Sequence, residues 1–275
     1  PCMATTTTSS SSTLKNVLIV IAVILAMVIS FFMGRATAPQ NNAASESDGM
    51  TQEQATGDPS ADEGEKPERQ MGADQPKFAE SQQDPQIIEL LRDQPKREEG
   101  DPRAIGAVDA PVVMITYEDF SCPMCTVFFQ DTYPELKKLV DDGQLRIEFR
   151  DLVIFPNYGS NHAARAARAA GNQEMFWEYV EAAFDSAGAG NHPTYDADVV
   201  MALAEEVGIP DMDKFKADYE SDEIKEAVDS ETQHGMYNLG INGTPFFIVN
   251  DAVISGAQPT SFFVNTIERQ LEEAK

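Results

Sequence analysis

The chain is poor in residues on which several kinds of protein depend. Its 275 residues include three cysteines, three histidines and one tryptophan, and 20 lysines and arginines stand against 46 aspartates and glutamates. So few cysteines exclude a small fold stapled by disulfides. A formal net charge of −26 is the opposite of the concentrated basic surface that phosphate backbones require, so nucleic acid is not an expected partner. The acidity reads as a solvated, self-repelling surface. His162, His192 and His234 are widely spaced and read as packing or surface residues, not as ligands.

What the chain does contain is segregated along its length. Residues 1–15 are polar, with a threonine and serine run that has nothing to bury. Residues 16–34 carry no charge, and Val17 to Met33 is a seventeen-residue apolar stretch broken by Ser30 alone. That length approaches the roughly 20 residues that span a hydrocarbon core and exceeds the roughly 7–15 of a signal-peptide core. An uncleaved signal anchor is therefore expected, with a removed signal peptide as the alternative, since Ala36-Thr37-Ala38 resembles a cleavage site. Lys15 and Arg35 balance each other across the span, so flanking charge does not set its orientation. The expected placement is a single pass through the cell membrane, with the bulk of the chain extracytoplasmic. Cys2 would then lie across the bilayer from the other two cysteines.

Residues 35–83 are rich in Gln, Asn, Ser, Glu, Asp, Gly and Pro and cannot bury enough surface to offset their ordering entropy. They read as a disordered acidic linker with a random-coil reach on the order of 40 Å. A folded domain is expected from 84 to 275, opening with Asp84 as N-cap and Pro85 at the first helical position. At roughly 190 residues such a domain buries about 70 % of its unfolded surface and needs no staples.

Inside the domain, residues 111–117 form a short β-branched apolar run, consistent with a buried strand. Val127, Phe128, Leu136, Leu139 and Val140 repeat at helical spacing up to Gly143, with a kink expected at Pro134. A second strand is expected over 145–154, then helical pattern over 162–170, 175–184, 198–207 and 211–238. Residues 245–249 and 252–254 flank Asn250-Asp251, a hairpin signal, and a last helix is expected over 259–273.

Cys122-Pro123-Met124-Cys125 falls between the first strand and the following helix. A helix N-terminus offers unpaired N–H groups and a partial positive charge, which stabilise the thiolate of a cysteine placed there. The thiolate is the species that attacks a disulfide. Two intervening residues put the second sulfur one turn on, and proline is tolerated at the helix start. Other uses of such a pair fit less well. Structural zinc wants about four ligands, copper wants more soft or imidazole donors, and an inert disulfide over so short a loop restrains little chain entropy.

A second element is Gly243-Thr244-Pro245-Phe246-Phe247-Ile248-Val249-Asn250, with Gly256-Ala257-Gln258-Pro259 after the hairpin. With the run from Tyr117 to Cys125 and a helical block of about 160–238 between the two halves, the sequence resembles the disulfide-bond protein A (DsbA) branch of the thioredoxin superfamily. It is similar in particular to its membrane-anchored, exported members in actinobacteria. The resemblance covers about residues 87–275. It implies an α/β thioredoxin-like fold with a helical insertion, Cys122 as nucleophile and Cys125 as resolving cysteine. It also implies a cis peptide before Pro245, with the Thr244 backbone beside the reactive sulfur and able to pair with an extended substrate.

Two positions depart from the family pattern. The superfamily often has a buried carboxylate six residues before the first cysteine, where this chain has Thr116; Glu118 and Asp119 are nearer, but strand alternation would turn them to opposite faces, so neither is assigned as a proton relay. The strongest oxidants have a histidine where this chain has Met124.

The expected activity is disulfide formation in exported proteins that carry thiols. The chain would act as a monomer without cofactor or metal, reoxidised by the membrane quinone-linked oxidase that the family implies. The same chemistry run as a reductase or isomerase, as in cytochrome maturation, is the first rival. A membrane-tethered binding or holdase module with incidental cysteines is the second.

Overall fold

The computed structural model describes residues 76–188 and 190–275. The expected N-terminal segment, the membrane span, Cys2 and the linker up to residue 75 lie outside the described residues. Among the described residues no helix is long and apolar enough to cross a membrane.

The centre of the fold is strand β2 (Val112–Glu118), every residue of which is buried. It pairs in parallel with β3 (Leu145–Asp151) on one side and antiparallel with β4 (Phe246–Val249) on the other. β5 (Ala252–Ser255) continues beyond β4, and the two-residue β1 (Ala104–Ile105) closes the other edge, giving the order β1-β3-β2-β4-β5. Asn250 adopts φ 47° at the β4–β5 turn, a conformation asparagine tolerates well. Its side chain also accepts a hydrogen bond from the Val113 N–H at 2.9 Å, which ties the turn to β2.

Both faces of the sheet are covered, so alternation along β2 separates two buried sides and not core from solvent. On one face Val113, Ile115 and Tyr117 pack with Leu152, Ile241 and Ile248, and with Leu91 of helix α1 (Pro85–Arg92). Asp84 caps α1, accepting from the Gln86 N–H at 2.8 Å. On the other face lie α2 (Pro123–Val127), α3 (Tyr133–Asp141) and the C-terminal helix α9 (Thr260–Glu273).

A π-helical turn, Phe128–Thr132, joins α2 to α3, and Pro134 sits in the first turn of α3. The expected kink is thus a change of helix type upstream of the proline. Through it two adjacent phenylalanines reach different partners: the Phe128 ring meets Phe247 at 4.6 Å, and Phe129 stacks on Phe184 at 4.2 Å.

The insertion consists of α4 (Ser160–Gly171), α5 (Phe176–Asp185), α6 (Ala197–Val207), α7 (Met212–Glu220) and α8 (Asp222–Gln233), ending in a second π-helical turn, His234–Asn238. The long pattern expected over 211–238 is split at Ser221, which ends α7 in an extended conformation and caps α8 by accepting from the Ile224 N–H. α4 runs through the middle of the insertion, and its six alanines from Ala163 to Ala170 are all buried.

Order begins before the expected boundary at 84. The Ala79 N–H donates to Thr266 Oγ1 at 2.9 Å, and Ser81 bridges to Ala252. Residues 79–83, which by composition belong to the linker, are therefore held on α9 and β5 by backbone hydrogen bonds that composition does not reveal.

An ionic knot fastens the insertion to the sheet. Glu231 of α8 accepts from Arg103 at 2.8 Å, from Arg168 of α4 at 2.7 Å and from the Asp151 N–H of β3 at 2.8 Å. Burial opposes its ionisation, but Arg103, Arg168 and Arg150 together hold the carboxyl below its ordinary value. Glu231→Ala would take one carboxylate from these largely buried guanidinium groups, leaving Arg168 with Asp151 and Arg150 with Glu148, and the expected cost is about 3 kcal/mol. Urea unfolding checks this, and a loss under about 1 kcal/mol would reduce the knot to an ordinary surface pair.

Candidate active site

Cys122 is the N-cap residue of α2, with extended φ −85° and ψ 119°, and Pro123 follows in the first turn. The sequence explains the placement. β2 ends at Glu118, and Asp119 then folds the next residues back on themselves, because its carbonyl accepts from the Cys122 N–H at 3.0 Å. Its carboxylate accepts from the N–H groups of Ser121, Ile154 and Phe155 at 2.7, 2.7 and 2.9 Å, and from the Ser160 hydroxyl at 2.9 Å. The turn that presents Cys122 is thereby bound to the segment leading from β3 into the insertion.

Both cysteines are free thiols, and both are buried. Met124, by contrast, is 38 % exposed. The Cys122 thiol donates to the Thr244 carbonyl at 3.3 Å. The Thr244–Pro245 bond is cis, and the Pro245 carbonyl turns away to accept from the Gly256 N–H at 2.8 Å. Residues from the two halves of the sequence, Cys122 and Thr244-Pro245, therefore meet as the resemblance implied.

The two sulfurs are chemically unlike. A hydrogen bond from Cys125 is the largest influence on Cys122; burial opposes it, while Thr244 and the backbone N–H groups of Cys125 and Met124 add to it. Together they bring the Cys122 thiol down to about 6. Burial pushes Cys125 well above the ordinary thiol value, and its bond to Cys122 and the nearby Glu118 push it further. One sulfur thus gives up its proton readily and the other keeps it.

Glu118 is the residue that sequence reasoning missed. Its carboxyl is buried, hydrogen-bonded by the Thr116 hydroxyl and in contact with Cys125. Burial raises its pKa well above the ordinary carboxylate value, against the hydrogen bonds from Cys125 and Thr116. The signal was present: Glu118 is two residues beyond Thr116 and so on the same face of β2. Alternation does turn Glu118 and Asp119 to opposite sides, but both sides of β2 are buried, so it gave no ground for setting Glu118 aside. Asp119 does point elsewhere, into the turn just described.

A family model described as Thioredoxin matches residues 98–269. Disulfide bond formation protein D of Bacillus subtilis is 27 % identical over 179 residues, covering 61 % of this chain and 76 % of the relative. The crystal structure of oxidised BdbD from Bacillus subtilis superposes with a TM-score of 0.57 at 26 % identity, covering 63 % of this chain and 94 % of the other. The alpha-DsbA1 structure of Wolbachia pipientis gives a TM-score of 0.59 over 68 % of this chain and 97 % of that one; at 23 % identity it speaks to the fold alone. With its insertion between the two halves of a thioredoxin-like sheet, the chain belongs to the thioredoxin family and is a thiol:disulfide oxidoreductase of DsbA type.

Proposed function

We propose that the chain makes disulfides in exported proteins, using Cys122-Pro123-Met124-Cys125 as its redox centre. The observation that carries this reading is the contrast between the two sulfurs, an acidic Cys122 at a helix N-terminus and a buried, protonated Cys125. A thiolate stabilised in the reduced enzyme makes the corresponding disulfide ready to accept electrons.

In the oxidised enzyme a substrate thiolate attacks Cys122 and breaks the Cys122–Cys125 bond. The electron pair leaves on Cys125, whose sulfur takes a proton from the protonated Glu118 carboxyl beside it. The substrate is now joined to Cys122. A second substrate thiolate attacks the substrate's own sulfur in that mixed disulfide, forming the product and releasing Cys122 as a thiolate. Two electrons have passed to the enzyme, which a membrane quinone-linked thiol oxidase returns to the disulfide state. Thr244, beside the reactive sulfur at the cis-proline turn, aligns the extended substrate segment.

Residues 16–34 would hold this domain outside the cytoplasm as a single-pass anchor, with the acidic segment that follows as the tether. The domain would act as a monomer.

The reduction potential of the Cys122–Cys125 couple tests the direction. Methionine at 124 supplies neither a charge nor a strong donor to Cys122, so an oxidant of intermediate strength is expected, with Met124→His more oxidising. Superfamily potentials span about 150 mV, or about 7 kcal/mol for two electrons, so intermediate values are resolved. A potential at the thioredoxin-like end would favour the reductase reading instead.

A further inference from the structure

His192 lies in the loop between α5 and α6, far along the chain from the cysteines, yet its Nδ1 is 2.7 Å from the carbonyl oxygen of Ser121, the residue immediately before Cys122. A carbonyl can only accept, so Nδ1 carries the hydrogen. The half-buried ring is held on two sides: Tyr158 stacks on it at 4.5 Å with 13° between planes, and Phe155 tilts against it at 4.5 Å.

The loop carrying His192 is itself fixed. The Tyr195 N–H donates to the Tyr158 carbonyl at 2.8 Å, and the Tyr195 hydroxyl donates to the Ala183 carbonyl at 2.9 Å. Gly159, at φ +82°, lies so near that a Cβ there would be 1.6 Å from the Tyr195 carbonyl oxygen. Asp119 holds the Ser121 N–H at 2.7 Å and the Phe155 N–H at 2.9 Å. Ser121 is therefore gripped at both ends of its backbone, by Asp119 at the N–H and by His192 at the carbonyl. Phe155 belongs to both grips.

We infer that His192 is a positioning residue for the nucleophile, by which the helical insertion clamps the Ser121–Cys122 peptide and aims the Cys122 sulfur at the N–H groups of α2. A histidine present for packing alone needs the two aromatic contacts and no directed hydrogen bond to the peptide that carries the nucleophile. Stabilisation by a helix N-terminus falls off within the first turn, so a small rotation of that peptide weakens it. The inference rests on Cys122 being the attacking sulfur.

The test separates the hydrogen bond from the packing. His192→Phe keeps a ring between Tyr158 and Phe155 but loses the donor; His192→Asn keeps a donor at the place of Nδ1 but loses the ring. Alkylation of Cys122 by iodoacetamide and the reduction potential are measured in the full chain, with thermal unfolding of each variant alongside. In His192→Phe, alkylation at about pH 5 is expected to slow about threefold, the change that half a pKa unit produces there, and the potential to become more reducing. His192→Asn should stay near wild type in both. An unshifted His192→Phe, or equal shifts in the two variants, overturns the inference while leaving Cys122 as nucleophile. A wild-type Cys122 that alkylates no faster than an ordinary thiol overturns both.

Discussion

Cys125→Ala is expected to accumulate proteins joined to Cys122 through disulfides and to lose turnover altogether. Cys122, lowered to about 6, is mostly thiolate at neutral pH and attacks a disulfide in a partner whether or not Cys125 is present. Without Cys125 no neighbouring thiol resolves the adduct, and no internal disulfide exists to be passed on. Non-reducing gels of cells that export thiol proteins should show ladders that collapse on reduction and are absent when Cys122 is also replaced. Absence of adducts while Cys122 remains open to alkylation would remove Cys122 from the role of nucleophile. A holdase, by contrast, would work equally well with alanine at 122.

The second large effect is expected at Glu118, in rate and in stability, and in opposite senses. Glu118→Gln keeps the shape of the side chain but cannot give or take a proton. Loss of a positioned acid–base group costs roughly 10²–10⁴-fold in rate. The step affected is the one that frees or recruits Cys125, so stopped-flow oxidation of a model dithiol should slow while Cys122 alkylation keeps its pH midpoint.

Stability moves the other way. Below the ordinary glutamate value, folded and unfolded chains both carry this proton and the group is neutral in the balance. Above it the unfolded chain has released the proton, but the folded one, whose Glu118 is raised by burial, still holds it. From there up to the folded value each pH unit costs the native state about 1.4 kcal/mol through this group. Glu118→Gln abolishes that slope, so relative to wild type the variant should gain stability steadily from about pH 5 upward. Parallel stability curves for the two proteins would show that Glu118 is ionised in the folded chain, and its assignment as proton donor would fall.

Much of this arrangement could be read from the chain, and the failures have physical causes. Asp84, Pro85 and the Asn250-Asp251 turn were legible because capping and turn formation are settled by neighbours in sequence. The cysteine pair was legible because a helix N-terminus, a short spacing and a preceding strand all act within a few residues. The π-helical turns after Cys125 and before Gly240 were not, since apolar spacing hardly distinguishes a single wider turn from the helix around it. Two-residue β1 had no pattern of its own and exists because Arg103, Ala104 and Ile105 are drawn to the edge of β3. Glu118 was passed over because alternation only sets it opposite Asp119, and on a strand buried on both sides that does not say which carboxylate meets the cysteines. His192 was hidden by distance along the chain, and no local rule links a loop between two inserted helices to the peptide before a cysteine.

The alanine-rich helix at the heart of the insertion has a consequence for how this domain can vary. Six alanines of α4 are buried where α5, α6, α7 and α8 converge on it, so the spacing of the bundle is set by methyl groups. Elsewhere in the core, shortening a phenylalanine leaves a hole that neighbours partly fill. Along α4 the vulnerable change is the reverse, since each added methylene must push a whole helix aside at about 1–3 kcal/mol. In this part of the protein the positions least free to change are occupied by the smallest side chains.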